Sequence, residues 1–454
     1  MIRAAALAPL VGMVGLLGLG PGRSASEPRL TGAHPCTDAA GFTCSTLSVP
    51  LDRSGRHPGT LALQVAATNN AAAPRGTLLM ITGGPGQPGV PYATKLSRAL
   101  GPLVRSYRVV LYDQRGTGGT ALQCPALQAV MGGSDLYPPP AAAVRSCATG
   151  LGSARALYGT DDVVADMDLL RRALHADRWT LDGISYGTYV AERYALAHPT
   201  RVKRMVLDSV VPHSAGGDLI PIEMRETARV LRAACADGSC PGDPAEDLAR
   251  VVRARHNGPQ LLDALALMSI VDPTLRIQVD IPEALHRAAT SPGGARALDD
   301  LLENLHGWEA ATAEQLSQGL HASALCGDWR FPWGSSAAPL AGRRRALARF
   351  GASLSKADVW PFDVQTALGN GVEQQCLPWT PTPPTPAPPK RLPAVPTLLL
   401  AGDHDLSTPL AWARREAALA PRGRLVVVPG AGHSVQSRAT SDAGRRAVHE
   451  FLGG

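Results

Sequence analysis

The sequence predicts an α/β protein built on a mostly parallel sheet flanked by helices, and three observations predict it. Short, continuously apolar runs recur along the chain, as in strands covered on both faces. Stretches with apolar residues at three- and four-residue spacing separate them. The alternation is interrupted once, by a long helical stretch, and resumes before the C-terminus.

The strand-like runs, in order, are LALQVAA (61–67), TLLMIT (77–82), RVVLYD (108–113), WTLDG (179–183), RMVLDS (204–209), TLLLAG (397–402) and RLVVVPG (424–430). Between the third and fourth, Val163, Val164, Met167, Leu170 and Leu174 mark a helix, with Thr160 and Asp161 as its expected caps. From 212 to 392 the patterns are mainly helical, for example over 223–235, 296–305 and 341–350. This stretch ends in PWTPTPPTPAPPKRLPAVPT, which can form neither regular helix nor inner strand. The expected division is an export signal over 1–26, a first core part over 27–211, a large helical cap or lid with a proline-rich return over 212–392, and a C-terminal core part over 393–454.

Arg3, the apolar run Ala4 to Gly20, the break at Pro21-Gly22 and the small residues Ala25-Ser26 read as a cleaved signal peptide, hence a secreted protein. An N-terminal membrane anchor is the alternative, since the run is at the short edge for spanning a bilayer. Hydrophobic residues make up 45% and charged residues 18%, enough apolar content for a large core. The formal charge of +6 is scattered apart from Arg343-Arg344-Arg345, which reads as a solvated helix face. No nucleic-acid partner and no stable membrane partner are expected, and the chain is expected to be monomeric. Eight cysteines in an exported chain suggest disulfides, and the sequence-adjacent scheme is Cys36–Cys44, Cys124–Cys147, Cys235–Cys240 and Cys326–Cys376. It is one of roughly a hundred possible connectivities. No pair has C-x-x-C spacing and no His/Cys cluster has zinc spacing, so no metal and no cofactor are expected.

The chemistry is carried by Gly183-Ile184-Ser185-Tyr186-Gly187, a G-x-S-x-G placed where a strand ends at Asp182 and a helix starts near Thr188. A sharp strand-to-helix turn strains the serine backbone and needs small neighbours, and the helix amino terminus favours negative charge beside the serine oxygen. A serine hydroxyl also needs a base. In the α/β-hydrolase fold the acid and then the histidine follow the nucleophile in the chain. Asp403 and Asp405 follow the TLLLAG strand, and His433 lies in a glycine-rich loop after the last strand. His433 is the expected base and Asp405 the expected acid, with Asp403 and Asp208 as fallbacks and His404 as a bystander. Gly83-Gly84-Pro85-Gly86 follows the second strand-like run; the N–H groups of Gly84 and Tyr186 are the expected oxyanion donors. Asp113 and Arg115 are expected to pair and brace the loops near the site.

Together these segments resemble the secreted tripeptidyl aminopeptidases of actinobacteria, relatives of the prolyl aminopeptidases. GGPG, DQRGTG, GISYGT, YALAHPTRVKRMVLDSVV, GDHDLSTP and GAGHS stand in that family's order. The resemblance implies an α/β-hydrolase with a helical cap, a Ser185–Asp405–His433 triad and removal of short peptides or single residues from free amino termini. Its D-x-x-T-P element selects Asp405 over Asp403. LCGDW (325–329) and CLPWT (376–380) are similar to family segments and support a Cys326–Cys376 link, although Thr380 stands where the family has proline. An exopeptidase must recognise an ammonium group, which a lid carboxylate does by a charge-assisted hydrogen bond. Asp328 is the first candidate, with Glu373 and Glu223 behind it. The expected partner is a peptide or a small acyl substrate. The competing functions are a secreted carboxylesterase or amide hydrolase, and a non-catalytic binding protein on a hydrolase scaffold.

Overall fold

The protein is described by a computed structural model covering residues 27–291, 293–308 and 310–454. The expected signal over 1–26 lies outside the described residues. Among these residues, nine strands form one sheet: β1 (Leu30–Pro35), β2 (Phe42–Pro50), β3 (Thr60–Thr68), β4 (Thr77–Ile81), β5 (Arg108–Tyr112), β6 (Trp179–Ile184), β7 (Val202–Asp208), β8 (Thr397–Gly402) and β9 (Gly423–Val428). Their spatial order is β1-β2-β3-β5-β4-β6-β7-β8-β9. The first three and the β3–β5 pair are antiparallel. From β5 through β4, β6, β7 and β8 to β9 every pairing is parallel.

The apolar runs explain the centre of the sheet. β4, β6 and β8 are buried along their whole lengths. Successive side chains point to opposite faces: Leu79, Ile81, Leu181, Leu207 and Leu399 enter one core, while Leu78, Met80, Val206, Leu398 and Leu400 enter the other. Sequence reading missed β1 and β2. β1 is a mostly exposed edge strand without an apolar signal. β2 covers one face only, and the alternation around Leu47 and Val49 was its sole mark.

Between β7 and β8 lies a further helical region that includes helices Ile220–Ala233, Pro244–Arg255, Gly258–Val271, Ile281–Thr290, Arg296–Trp308, Gln318–Asp328 and Arg343–Ser353. It has a core of its own, with Met224, Leu231, Leu248, Leu261, Leu265 and Leu285 packed together. Asp243 and Asp280 cap two of these helices through the N–H groups of Ala245 and Glu283. Arg343 departs from the expected solvated face: it is buried and donates to the carbonyl oxygens of Ala338, Cys376 and Trp379. That fork ties the end of helix Gly371–Cys376 to the segment around Ala338.

Disulfides join Cys36–Cys44, Cys124–Cys147, Cys235–Cys240 and Cys326–Cys376. No helix among the described residues is long and apolar enough to cross a membrane. The bracing role read for Asp113 and Arg115 is divided differently. Arg115 is fully buried and forms a two-pronged pair with Asp166, at 2.6 and 2.9 Å. Asp113 instead accepts the N–H groups of Gly89 and Val90. The helix read behind Thr160 and Asp161 spans Thr160–Ala173, but its cap residue is Gly159, without a side-chain bond. The Thr160 side chain is engaged elsewhere, with Asp328 and Tyr186.

Candidate active site

Because β6, β7, β8 and β9 run parallel, the loops leaving their C-terminal ends gather at one edge of the sheet. Ligand sites of open α/β sheets lie there, where successive connections diverge to the two sides. Here the divergence is at β4, which pairs with β5 on one side and β6 on the other.

Ser185 sits between β6 and helix Tyr186–Ala197, which starts two residues earlier than expected. Its φ of 57° places a non-glycine residue in the left-handed region, a strained conformation that the surrounding packing must enforce. The adjoining glycines are sterically required. A Cβ on Gly183 would lie 2.5 Å from the Gly187 oxygen, and one on Gly187 would lie 2.2 Å from the Ile81 oxygen. The serine is partly exposed in an otherwise buried segment. Its N–H donates to the main-chain oxygen of Asp208 at 2.9 Å.

β8 delivers Asp405 and β9 delivers His433. Asp405 is fully buried, and its Oδ1 accepts the N–H groups of Ser407 and Thr408. Its Oδ2 accepts the Thr408 hydroxyl at 2.7 Å and lies 2.9 Å from His433 Nδ1. A carboxylate only accepts, so this contact fixes the ring proton on Nδ1 and leaves Nε2 as the basic nitrogen. Burial favours neutral Asp405, but the charge and hydrogen bond of His433, with the Thr408 bonds, hold the carboxyl below the usual range. Burial likewise opposes the imidazolium, and the Asp405 and Asp208 carboxylates outweigh it, raising His433 above its ordinary value.

The two fallback acids have other work. Asp403 accepts the Gly430 N–H at 2.7 Å. Asp208 accepts the N–H groups of Val435 and Gln436 through its two oxygens. His404 lies with Nδ1 2.8 Å from the Pro273 oxygen.

A cavity opens beside Ser185. Gly84 and Tyr186, the expected oxyanion donors, both line it. Gly83 also packs against the serine: a Cβ there would fall 2.8 Å from Ser185 Cβ. Of the three carboxylates singled out for an amine, only Glu223 lines this cavity. Asp328 is not among its lining residues. Its carboxylate accepts the N–H and hydroxyl of Thr160 and the hydroxyl of Thr385. Glu373 is buried outside the lining, so tightly against Gly217 that a Cβ there would lie 2.5 Å from Glu373 Oε1; burial raises its carboxyl to about 8.

Glu223 is buried, and neither of its oxygens has a hydrogen-bond partner among the described residues. Burial, and then the carboxylates of Asp263, Asp405 and Glu373, push its carboxyl well up. Asp135, Asp263 and His321 also line the cavity and were missed from sequence. Asp263 had a readable signal, a lone charge within the apolar helix Gly258–Val271. Burial raises it to about 7, against the hydrogen bond from Ser134 and with the help of Asp135.

Residues 76–233 match the family model described as alpha/beta hydrolase fold, and residues 361–453 match the one described as TAP-like protein. The serine protease Hip1 of Mycobacterium tuberculosis is 29% identical over 254 residues, covering 50% of this chain and 48% of that protein. The tripeptidyl aminopeptidase of Streptomyces lividans is 27% identical over 188 residues, covering 37% of this chain and 35% of its own length. The matched part thus spans about half or less of these relatives. Among solved structures, the proline iminopeptidase of Mycobacterium smegmatis is 18% identical, with 90% of this chain and 98% of that chain covered at a TM-score of 0.42.

Proposed function

We propose that this α/β-hydrolase with a TAP-like C-terminal segment is a secreted serine exopeptidase that removes short peptides or single residues from free amino termini. The relatives' names support a serine peptidase or hydrolase. One observation carries the finer reading: Glu223, buried and unpartnered, lines the same cavity as Ser185. An ammonium group entering that cavity would draw Glu223 into its charged form and make a charge-assisted hydrogen bond with it. In this reading the helical region over 212–392 acts as a cap that admits only a chain end. Residues 1–26 act as the export signal, in keeping with four disulfides, which persist in oxidising compartments.

The reaction is acyl transfer. His433 Nε2 takes the Ser185 proton as Oγ attacks the peptide carbonyl, while Asp405 keeps the imidazole in the required tautomer and stabilises its charged form. The N–H groups of Gly84 and Tyr186 donate to the developing oxyanion. His433 then protonates the leaving amine, and water repeats the cycle on the acyl-enzyme. The test is a panel of matched peptide substrates with free and acetylated amino termini, together with phosphonate labelling of the wild type and Ser185→Ala. Turnover of free-amine peptides and labelling lost in Ser185→Ala are expected. Preferential turnover of blocked peptides or simple acyl esters would replace the exopeptidase reading with an esterase one. Labelling that persists in Ser185→Ala would remove the nucleophile assignment.

A further inference from the structure

Behind the helix that follows Ser185 lies a cluster that acyl transfer does not use. Glu192 is on helix Tyr186–Ala197, His213 is in the segment after β7, and Glu416 is on helix Leu410–Ala417. All three are fully buried, and one ligand atom from each lies within 4.8 Å of the others. The proline-rich segment closes the group, since the Pro389 oxygen lies 2.9 Å from His213 Nε2.

A carbonyl oxygen only accepts, so Nε2 carries the ring proton. Nδ1 then faces Glu416 Oε1 at 2.6 Å. A bare nitrogen lone pair and a carboxylate oxygen repel at that distance, so either a proton shared between Nδ1 and Oε1 or a metal ion belongs there. The remaining oxygens discriminate between them. Both oxygens of Glu192 and Oε2 of Glu416 have no hydrogen-bond partner among the described residues. One proton in the His213–Glu416 contact leaves those three buried oxygens unserved, and a metal-free cluster would need a second proton on the Glu192 carboxyl. One divalent cation neutralises both carboxylates and takes all three side chains as ligands. The Pro389 contact is also what a ligating imidazole requires, its second N–H held by a backbone carbonyl. A mixed imidazole and carboxylate donor set suits zinc-like ions better than calcium or magnesium, which prefer oxygen alone.

We propose that Glu192, His213 through Nδ1, and Glu416 hold a divalent transition-metal ion that clips four separate parts of the chain together. Tetrahedral zinc, with ligands at roughly 2.0–2.2 Å, would draw the carboxylates inward and open the short His213–Glu416 contact by small side-chain rotations. The clip joins the helix behind Ser185 to the helix after the Asp405 loop, and it holds the segments through which the chain leaves the sheet after β7 and returns to it at β8. It is structural and takes no part in the reaction at Ser185.

The test uses the full chain, expressed with zinc and dialysed natively against a chelator before metal analysis. About one zinc per chain is expected to remain, because the site has no solvent exposure. Unfolding with disulfides intact and refolding in chelator should give protein melting several degrees lower, restored when zinc is present during refolding. Glu192→Gln and His213→Gln should each lose the metal while still being labelled by phosphonate at Ser185. Failure of a variant to fold leaves the wild-type metal content and zinc-dependent refolding to decide. Absence of bound metal, with the same melting temperature after refolding in chelator or zinc, would overturn the site. A Glu192→Gln protein that melts at or above the wild type, also without metal, would identify a proton-sharing cluster instead.

Discussion

Asp208 grips both sides of the proposed chemistry: its main-chain oxygen accepts the Ser185 N–H, and its carboxylate accepts the N–H groups of Val435 and Gln436, which follow His433. It therefore ties the backbone of the proposed nucleophile to the loop that carries the proposed base. Its charge also helps raise His433 above the ordinary histidine value. In the proposed mechanism activity needs neutral His433, so kcat/KM should rise with pH through a midpoint above about 6.5. Asp208→Asn should move that midpoint down and lower kcat by about 10-fold or more at high pH, where His433 is already neutral. A pH–rate profile with an unmoved midpoint would remove the electrostatic part of this role.

Gly83 tests the steric side of the same site. A methyl group there would stand 2.8 Å from Ser185 Cβ and 3.2 Å from its Oγ. Gly83→Ala should lower kcat by about 10²-fold, because the serine must shift by a fraction of an ångström to an ångström. Circular dichroism should show the fold retained. Wild-type kcat would mean that the β4 loop yields instead of the serine.

Glu223 and Asp328 separate recognition from support. Glu223→Gln should lower kcat/KM for free-amine peptides by roughly 10- to 100-fold, the worth of a charge-assisted hydrogen bond, and leave blocked substrates nearly unchanged. Asp328→Asn weakens the bonds to Thr160 and Thr385, so it should reduce stability by about 1–3 kcal/mol and affect both substrates alike. Urea unfolding and paired kinetics read both. The reverse pattern would return amine recognition to Asp328.

Cys326 and Cys376 join two helices 50 residues apart in the chain. Replacing both with serine should reduce stability by about 4 kcal/mol on the chain-entropy model. The effect should appear as a lower urea midpoint, with phosphonate labelling kept under native conditions.

The parts legible in the sequence were those with local signatures. Continuous apolar runs gave seven of the strands, and a glycine-flanked serine at a strand-to-helix junction located the turn at Ser185. The parts not legible depend on what the fold brings together. Nothing in the sequence around Arg115 names Asp166 as its partner. The ligand atoms of Glu192, His213 and Glu416 come from positions with no spacing pattern to link them. Asp328 beside a cysteine looked well placed for an amine, but whether a carboxylate faces a cavity or a threonine depends on helix orientation, which periodicity alone does not set. Thr160 failed as a cap for the same reason: its hydroxyl found better partners across the fold.

Neighbouring strands β7 and β8 pair Met205 with Thr397, so the helical region leaves and re-enters the sheet through adjacent doorways. An insertion with closely spaced ends can lengthen, shorten or be exchanged without spreading the strands it interrupts. The edge that carries Ser185, Asp405 and His433 can therefore be inherited almost unchanged while the inserted region diverges. For an engineer, the doorways at β7 and β8 are the natural joints for grafting the region of one relative onto the sheet of another, with the His213 and Pro389 contacts carried along as part of the joint.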